Sequence, residues 1–242
     1  MSLNHDRAYN RRIRAWLLDV FEFASRLDKG ALVRRKCPVC GSGDGDFFGN
    51  NDYLDYERCR ACDLVFMNPT FPAEWLNRGF KGEDKLLARY FRIIRRYRVG
   101  IAPRPDPKTD RDLRDIYTFK RKGRLLDVGC SVGAFLQKAR HFYEVEGVEV
   151  NPWTAAVAGK HFPVHRGFLS ELRLPCTYDI VTLNQVLYGV PDPVGLLREI
   201  GSVLRSKGLL YINTPNADSH AMRCYRGKAN HLNGYKIGRA HV

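Results

Sequence analysis

The sequence predicts an α/β protein: a doubly wound, mostly parallel sheet with helices on both faces, preceded by a small four-cysteine metal module. Three observations predict it. From residue 124 to 213, short apolar runs of strand character alternate with stretches of helical periodicity. The first of those strands ends in an acidic residue and runs into a glycine-bearing turn, LLDVGCSVGAFL from Leu125 to Leu136. Two C-x-x-C pairs stand eighteen residues apart near the N-terminus.

The elements follow in chain order. Within residues 1–36, positions 6–28 place Ile13, Trp16, Leu17, Val20, Phe21, Ala24 and Leu27 at helical spacing, opposite a basic face. Residues 37–68 form the metal module. Residues 69–122 read as a helical linker or lid: a second basic amphipathic helix over 83–99, an exposed proline-bearing linker from Ala102 to Asp110, and a helix over 111–122. The core, 123–220, is expected to hold strands Arg124–Val128, Tyr143–Val148, Val164–Arg166, Asp179–Leu183 and Gly208–Asn213. Helices Ala134–His141, Pro152–Lys160 and Val194–Leu204 alternate with them. Residues 221–242 are a polar tail.

Composition narrows the class. The 242 residues are 44% hydrophobic, enough for one sizeable core and a small module. No apolar run is long enough to span a membrane, and arginines interrupt the N-terminal apolar positions, so a soluble cytoplasmic protein is expected. The net charge is +14, unevenly spread. Residues 78–124 carry sixteen basic and six acidic side chains, whereas 37–77 carry two and seven. The excess lies in the helical segments outside the core, where a solvated helix face is the simplest reading and a nucleic-acid partner through the basic helices an alternative.

Cys37-Pro-Val-Cys40 and Cys59-Arg-Ala-Cys62 each put two thiolates on one tight turn, close enough to share a tetrahedral ion. The residues between them, turn formers around Phe47, Phe48 and Tyr53, suggest a hairpin. The pattern predicts a zinc ribbon, with zinc structural because protein fills all four positions. Cys130, Cys176 and Cys224 are scattered, which suits free thiols better than disulfides.

The turn after Asp127 admits three chemistries. A dinucleotide site wants G-x-G-x-x-G/A, but Ser131 takes the second glycine position and Asp127 would repel a pyrophosphate. Gly129-Cys-Ser131-Val-Gly133 spells the G-x-S-x-G nucleophile elbow of hydrolases. That reading needs a downstream acid and then a histidine, and only His220 and His231, in a polar tail, are placed for it. The third chemistry is a ligand carrying an ammonium and a sulfonium, which an acidic strand end suits.

On these residues the sequence resembles the class I S-adenosylmethionine (SAM)-dependent methyltransferases, whose first motif is acidic-x-G-x-G-x-G. Asp127, Gly129, Ser131 and Gly133 match it, with Ser for the middle Gly. GVEVNP, Gly147 to Pro152, resembles the second motif. The resemblance implies a Rossmann-like core with Asp127 near the methionine part of SAM and the backbone of Gly129, Cys130, Ser131 and Gly133 cradling it. It implies Glu149, followed by Val150, on the ribose hydroxyls, and Phe168 and Leu169 at the adenine. Asn184 and Gln185 would face the point where methyl and acceptor meet. Many relatives have a Glu-His pair where this chain has Tyr188-Gly189, so no general base is assigned; Tyr188 and Asp192 are candidates by location alone. The ribbon followed by LVFMNP and this core resembles bacterial methyltransferases of glycan and secondary-metabolite pathways. The expected reaction is methyl transfer to a small-molecule or glycan acceptor; an RNA methyltransferase and a non-catalytic SAM-binding scaffold are the alternatives. Such cores usually carry seven strands, and only about thirty residues follow Asn213. Ile237–Val242 also reads like a translated sequencing adapter, so the chain is expected to lack its last strands.

Overall fold

A computed structural model describes residues 29–50, 54–83 and 107–219. The helices expected over 6–28 and 83–99, Ala102–Asp106 of the linker, and the tail with His220, Cys224 and His231 lie outside or almost wholly outside the described residues. The chain divides into two compact units. Of the smaller, the described residues form a 3-10 turn, Lys29–Ala31, and helix α1, Ala73–Phe80, in which Trp75 stacks on Phe71 with ring centroids 4.4 Å apart.

The larger unit joins 33–70 to the residues from Asp106 onward. Its first part is a three-stranded antiparallel sheet, β1 (Gly45–Asn50), β2 (Asp55–Cys59) and β3 (Val65–Met67), in that order. The expected hairpin is β1–β2, and β3 adds a strand the sequence did not announce. Asn68 closes this sheet from below: its side chain bonds Arg35 N–H at 2.9 Å and donates to Arg35 C=O at 3.1 Å.

Helix α2 runs from Pro107 to Phe119. The exposed linker expected to reach Asp110 therefore stops earlier. Proline's fixed φ and missing N–H cost nothing in a helix's first turn, so Pro107 starts the helix instead of breaking it. Leu113 and Ile116 of α2 are buried in the main core, which makes this helix part of the sheet's packing.

The second sheet contains β4 (Arg124–Val128), β5 (Glu144–Glu149), β6 (Val164–Arg166), β7 (Tyr178–Asn184) and β8 (Leu204–Asn213). Spatial order is β6-β5-β4-β7-β8, and every pair is parallel. Helices α3 (Ala134–Ala139), α4 (Pro152–Ala158) and α5 (Pro193–Val203) supply the crossovers, as the alternation predicts. Strand residues alternate between faces, so Leu125 and Ile180 pack with α2, α3 and α4, while Leu126 and Val181 pack with Ile200 of α5. Both faces are covered, and the central strands β4 and β7 are accordingly the most apolar and most buried. The strand order reverses between β4 and β7, and the crevice beyond their carboxyl ends is where open sheets of this kind hold ligands.

No helix among the described residues is long and apolar enough to cross a membrane. Leu126 has no exposed surface and contacts the α5 face of the core. We expect Leu126→Ala to lower unfolding free energy by about 2–5 kcal/mol in urea titrations, with a loss below ~1 kcal/mol contradicting this packing.

Candidate functional site

Asp127 closes β4 at the point of strand reversal. In register it lies between Gly147 of β5 and Thr182 of β7, and it is 2% exposed. Thr182 Oγ1 donates to Asp127 Oδ1 at 2.7 Å, and Asn184 Nδ2 donates to the same oxygen at 3.2 Å. Burial pushes the Asp127 carboxyl up to about 7; these two hydrogen bonds oppose the rise, and the charge of Glu149 adds to it. Asn184 Oδ1 is buried and has no hydrogen-bond partner. Turning the amide over would set that oxygen against Asp127 Oδ1, so the orientation is fixed by the carboxylate. The crevice thus presents a buried carboxylate and a buried, unsatisfied carbonyl oxygen side by side. Both call for a donor, and an ammonium group offers three.

The turn after β4 is held from below. Gly129 N–H and Cys130 N–H both donate to Val148 C=O, at 2.8 and 3.1 Å. Three of its residues have left-handed backbone: Gly129 at φ 79°, Ser131 at 52° and Gly133 at 82°. Gly129 also meets the neighbouring loop closely, since a Cβ there would lie 2.4 Å from Val186 Cγ2. The Cys130 side chain turns away into the core, against Gly147, where a Cβ would come within 2.5 Å of its sulfur. Only the backbone of Cys130 is therefore offered to the crevice, and burial pushes its thiol pKa up.

Glu149 ends β5 and ties two loops together. Its Oε2 accepts Ser131 N–H at 2.7 Å and its Oε1 accepts Asn151 N–H at 2.8 Å. Burial raises its pKa, and the backbone N–H groups of Asn151 and Ser131 counter that. Thr154 and the Val150 backbone also act on this carboxylate, so a ligand hydroxyl would share its acceptor positions with them. Val150, next in line, is half-buried, and Asn151 caps α4 by accepting from Trp153 N–H at 3.1 Å.

After β6, Gly167 N–H bonds Glu149 C=O at 3.1 Å, which brings the Phe168 loop beside the β5 end. Phe168 is half-buried, and its N–H donates to Glu171 Oε2 at 3.2 Å. Leu169 is different: its side chain is buried in the core with Leu126 and Val148. Of this pair, only Leu169 belongs to that core cluster. Gln185 is exposed, at φ 61°, and its side-chain amide donates to Asn213 Oδ1 at 2.7 Å. Asn213 in turn donates to the buried carboxylate of Asp112 at 3.1 Å, which Tyr211 also bonds at 3.0 Å. Asp192 caps α5, accepting Gly195 N–H at 2.8 Å, and Tyr188 packs against the cysteine module. Both candidate bases thus have structural work.

Thr182, Asn213 and Asp112 escaped the sequence reading. Thr182 could be found only from the β4–β7 pairing, and Asp112 resembles any acid on a polar helix face. The hydrolase alternative rests on His220 and His231, outside the described residues.

In the three-stranded module the Sγ atoms of Cys37, Cys40, Cys59 and Cys62 all lie within 4.8 Å of one another. Cys37–Cys62 and Cys40–Cys59 are 3.6 and 3.5 Å apart. Four thiolates on a tetrahedral zinc, at ~2.3 Å each, would be about 3.8 Å apart, so the gathered sulfurs fit such an ion.

The profile of the methyltransferase domain family matches residues 102–235, more than half of the chain. The chain belongs to this methyltransferase family. It is 30% identical over 109 residues to a ubiquinone biosynthesis O-methyltransferase of Aeromonas salmonicida (strain A449), covering 40% of this chain and 45% of that protein. Over 102 residues it is 31% identical to the mitochondrial ubiquinone biosynthesis O-methyltransferase of Schizosaccharomyces pombe (strain 972 / ATCC 24843), covering 38% and 37%. The chain spans about half the length of these curated relatives, or less. Among solved structures it is similar to SAM-bound CalS10, an amino pentose methyltransferase from Micromonospora echinaspora involved in calicheamicin biosynthesis. That match has a TM-score of 0.44 and 23% identity, over 50% of this chain and 55% of the other. The sugar N-methyltransferase KedS8 from Streptoalloteichus sp ATCC 53650 gives 0.45 and 22%, over 53% and 54%. The family match agrees with the class expected from the Asp127 turn.

The buried Asp127 makes a pH prediction. Its folded pKa, about 7, lies above the unfolded value, so the stability tied to its protonated form is complete below about pH 4 and is lost as pH rises through 7. Against Asp127→Asn, the ligand-free wild type is expected to lose about 2–4 kcal/mol across that window in urea titrations. Parallel pH profiles for the two proteins would contradict it.

Proposed function

We propose that this chain is a SAM-dependent methyltransferase acting on a small-molecule or glycan acceptor. The observation that carries the reading is the Asp127–Asn184 pair, a buried carboxylate beside a buried, unsatisfied carbonyl oxygen at the strand-order reversal. That pair suits the ammonium of the methionine part of SAM. Glu149, the carboxylate at the β5 end that already gathers the Ser131 and Asn151 N–H groups, would take the ribose hydroxyls. The backbone of Gly129, Cys130, Ser131 and Gly133 would follow the ligand closely, and Val150 and Phe168 would flank its base. Leu169 contributes there through backbone alone. The 30% identity to ubiquinone biosynthesis O-methyltransferases supports a small acceptor.

When bound, SAM supplies a methyl group already activated by its sulfonium. The chain's own residues then have three tasks. Asp127 and Asn184 fix the ammonium end, Glu149 fixes the ribose, and the packed loops exclude water. Asn184 and Gln185 end β7 on the side where an acceptor would approach. The basic segments used by the RNA alternative lie almost wholly outside the described residues.

The second proposed ligand is one structural zinc on Cys37, Cys40, Cys59 and Cys62, which would hold the module together.

Calorimetric titration with S-adenosylhomocysteine tests the cofactor site. The zinc-loaded wild type is expected to bind in the micromolar range, and Glu149→Ala to weaken binding by about tenfold or more, the loss of a charge-assisted hydrogen-bond set. A folded wild type that does not bind would overturn the reading. Elemental analysis should find one zinc per chain, and none in a Cys37→Ser/Cys59→Ser double variant.

A further inference from the structure

Among the described residues, the cysteine module contacts the loops beyond the carboxyl ends of β7 and β8 at three points. Tyr188 lies in the 3-10 turn Leu187–Gly189, four residues after the end of β7. Its ring packs against a cluster made of Cys37, Cys59, Leu64 and Phe66. Two of those four are members of the cysteine tetrad. On the far side of the same loop, Arg35 Nη2 donates to Pro191 C=O at 2.9 Å. The backbone of Arg35 is pinned on both its N–H and C=O by the buried Asn68, so the guanidinium is aimed from a rigid base. A third tie joins Arg58 of β2 to Asp218, beyond β8, at 2.8 Å.

These contacts bracket the loop that follows Asn184 and Gln185. Cys37 and Cys59 make up half of the apolar face that receives Tyr188, beside Leu64 and Phe66. An ion would bind the four sulfurs together and so fix the Cys37 and Cys59 side of that face. Loss of the ion therefore removes the Tyr188 contact first and loosens the Arg35 bond with it.

We propose that the metal-loaded module is the structural clamp of the 187–191 loop, with Tyr188 and Arg35 as positioning residues that couple the metal to the acceptor side of the crevice. That this loop borders an acceptor rests on the methyltransferase reading above; the coupling itself does not. Tyr188 packs on the cysteine module and Arg35 bonds Pro191, while Val186 at the start of the loop lies against Gly129, so loop order and cofactor affinity are measured separately. Asp192, which caps α5 directly after the loop and whose charge acts on Arg35, carries the constraint onward to that helix.

Hydrogen exchange read by mass spectrometry on the full, zinc-loaded chain tests the clamp. The reporter is the peptide spanning 186–192, whose Gly189 N–H bonds Val186 C=O at 2.8 Å. Removing zinc with a chelator should speed exchange there by about fivefold or more, while the strands within 124–149 keep their protection. Tyr188→Ala and Arg35→Ala should do the same with zinc still bound, and Tyr188→Phe, which keeps the ring, should restore protection. S-adenosylhomocysteine affinity should stay within about twofold of wild type in both alanine variants, since the strand-end carboxylates are untouched. Unchanged exchange at 186–192 after chelation would overturn the proposal. So would a uniform rise along the whole chain, because the metal would then support the fold at large. Failure of every version to bind S-adenosylhomocysteine, with the exchange pattern as expected, would strike the methyltransferase reading and leave the clamp standing.

Discussion

The structure turns on one electrostatic constraint: a carboxylate buried at the end of a central strand. Asp127 is flanked by strands on both sides and is satisfied at a single oxygen by Thr182 and Asn184. Burial of this kind disfavours the charged form, so the ligand-free fold carries an unfavourable group at its centre near neutral pH. A cationic group entering the crevice would relieve that cost and supply the donor that Asn184 Oδ1 lacks. Stability given up by the empty protein becomes affinity for the right ligand, a common relation where binding groups are pre-positioned.

Everything around the carboxylate serves to bring backbone close to the same spot. The turn after β4 is anchored on Val148 and on the Glu149 side chain, which ties two neighbouring strand ends together. Gly129 leaves room for Val186, and Gly147 leaves room for the Cys130 sulfur. A side chain at either position would push the loops apart. The positive φ of Gly129 and Gly133 adds a second reason for glycine there. Ser131 accepts the same backbone region at φ 52°, a strained position stabilised by its N–H bond to Glu149.

Much of this was legible in the sequence, and the residues that were not share a cause. Asp127 and Glu149 could be placed because each stands at or next to the end of a strand, just before a turn, a purely local pattern. The cysteine tetrad was legible from spacing, and Val164–Arg166 matched its expected bounds because Pro163 and Gly167 punctuate it on either side. Thr182 was not legible, because its role depends on β7 lying beside β4, fifty-five residues away. Leu169 follows an adenine-loop pattern but also fits the period of the core, and burial decided its side chain. Tyr188 resembled a position for acid–base chemistry; its packing on the cysteine module depends on a contact more than a hundred residues distant in sequence. Pro107 was read as linker because proline punctuates both loops and helix starts, and only the apolar face of Leu113 and Ile116 separates the two.

The most direct test of the account is proton release on ligand binding. Titrations of S-adenosylhomocysteine at about pH 6 in buffers of different ionisation enthalpy count the protons exchanged per molecule bound. If the ligand's ammonium meets Asp127, whose pKa stands at about 7 in the free protein, wild type should release up to about one proton, and Asp127→Asn should release markedly less. Binding with no buffer dependence in the wild type, or with the same release in Asp127→Asn, would contradict the claim that the buried carboxylate is the heart of the site.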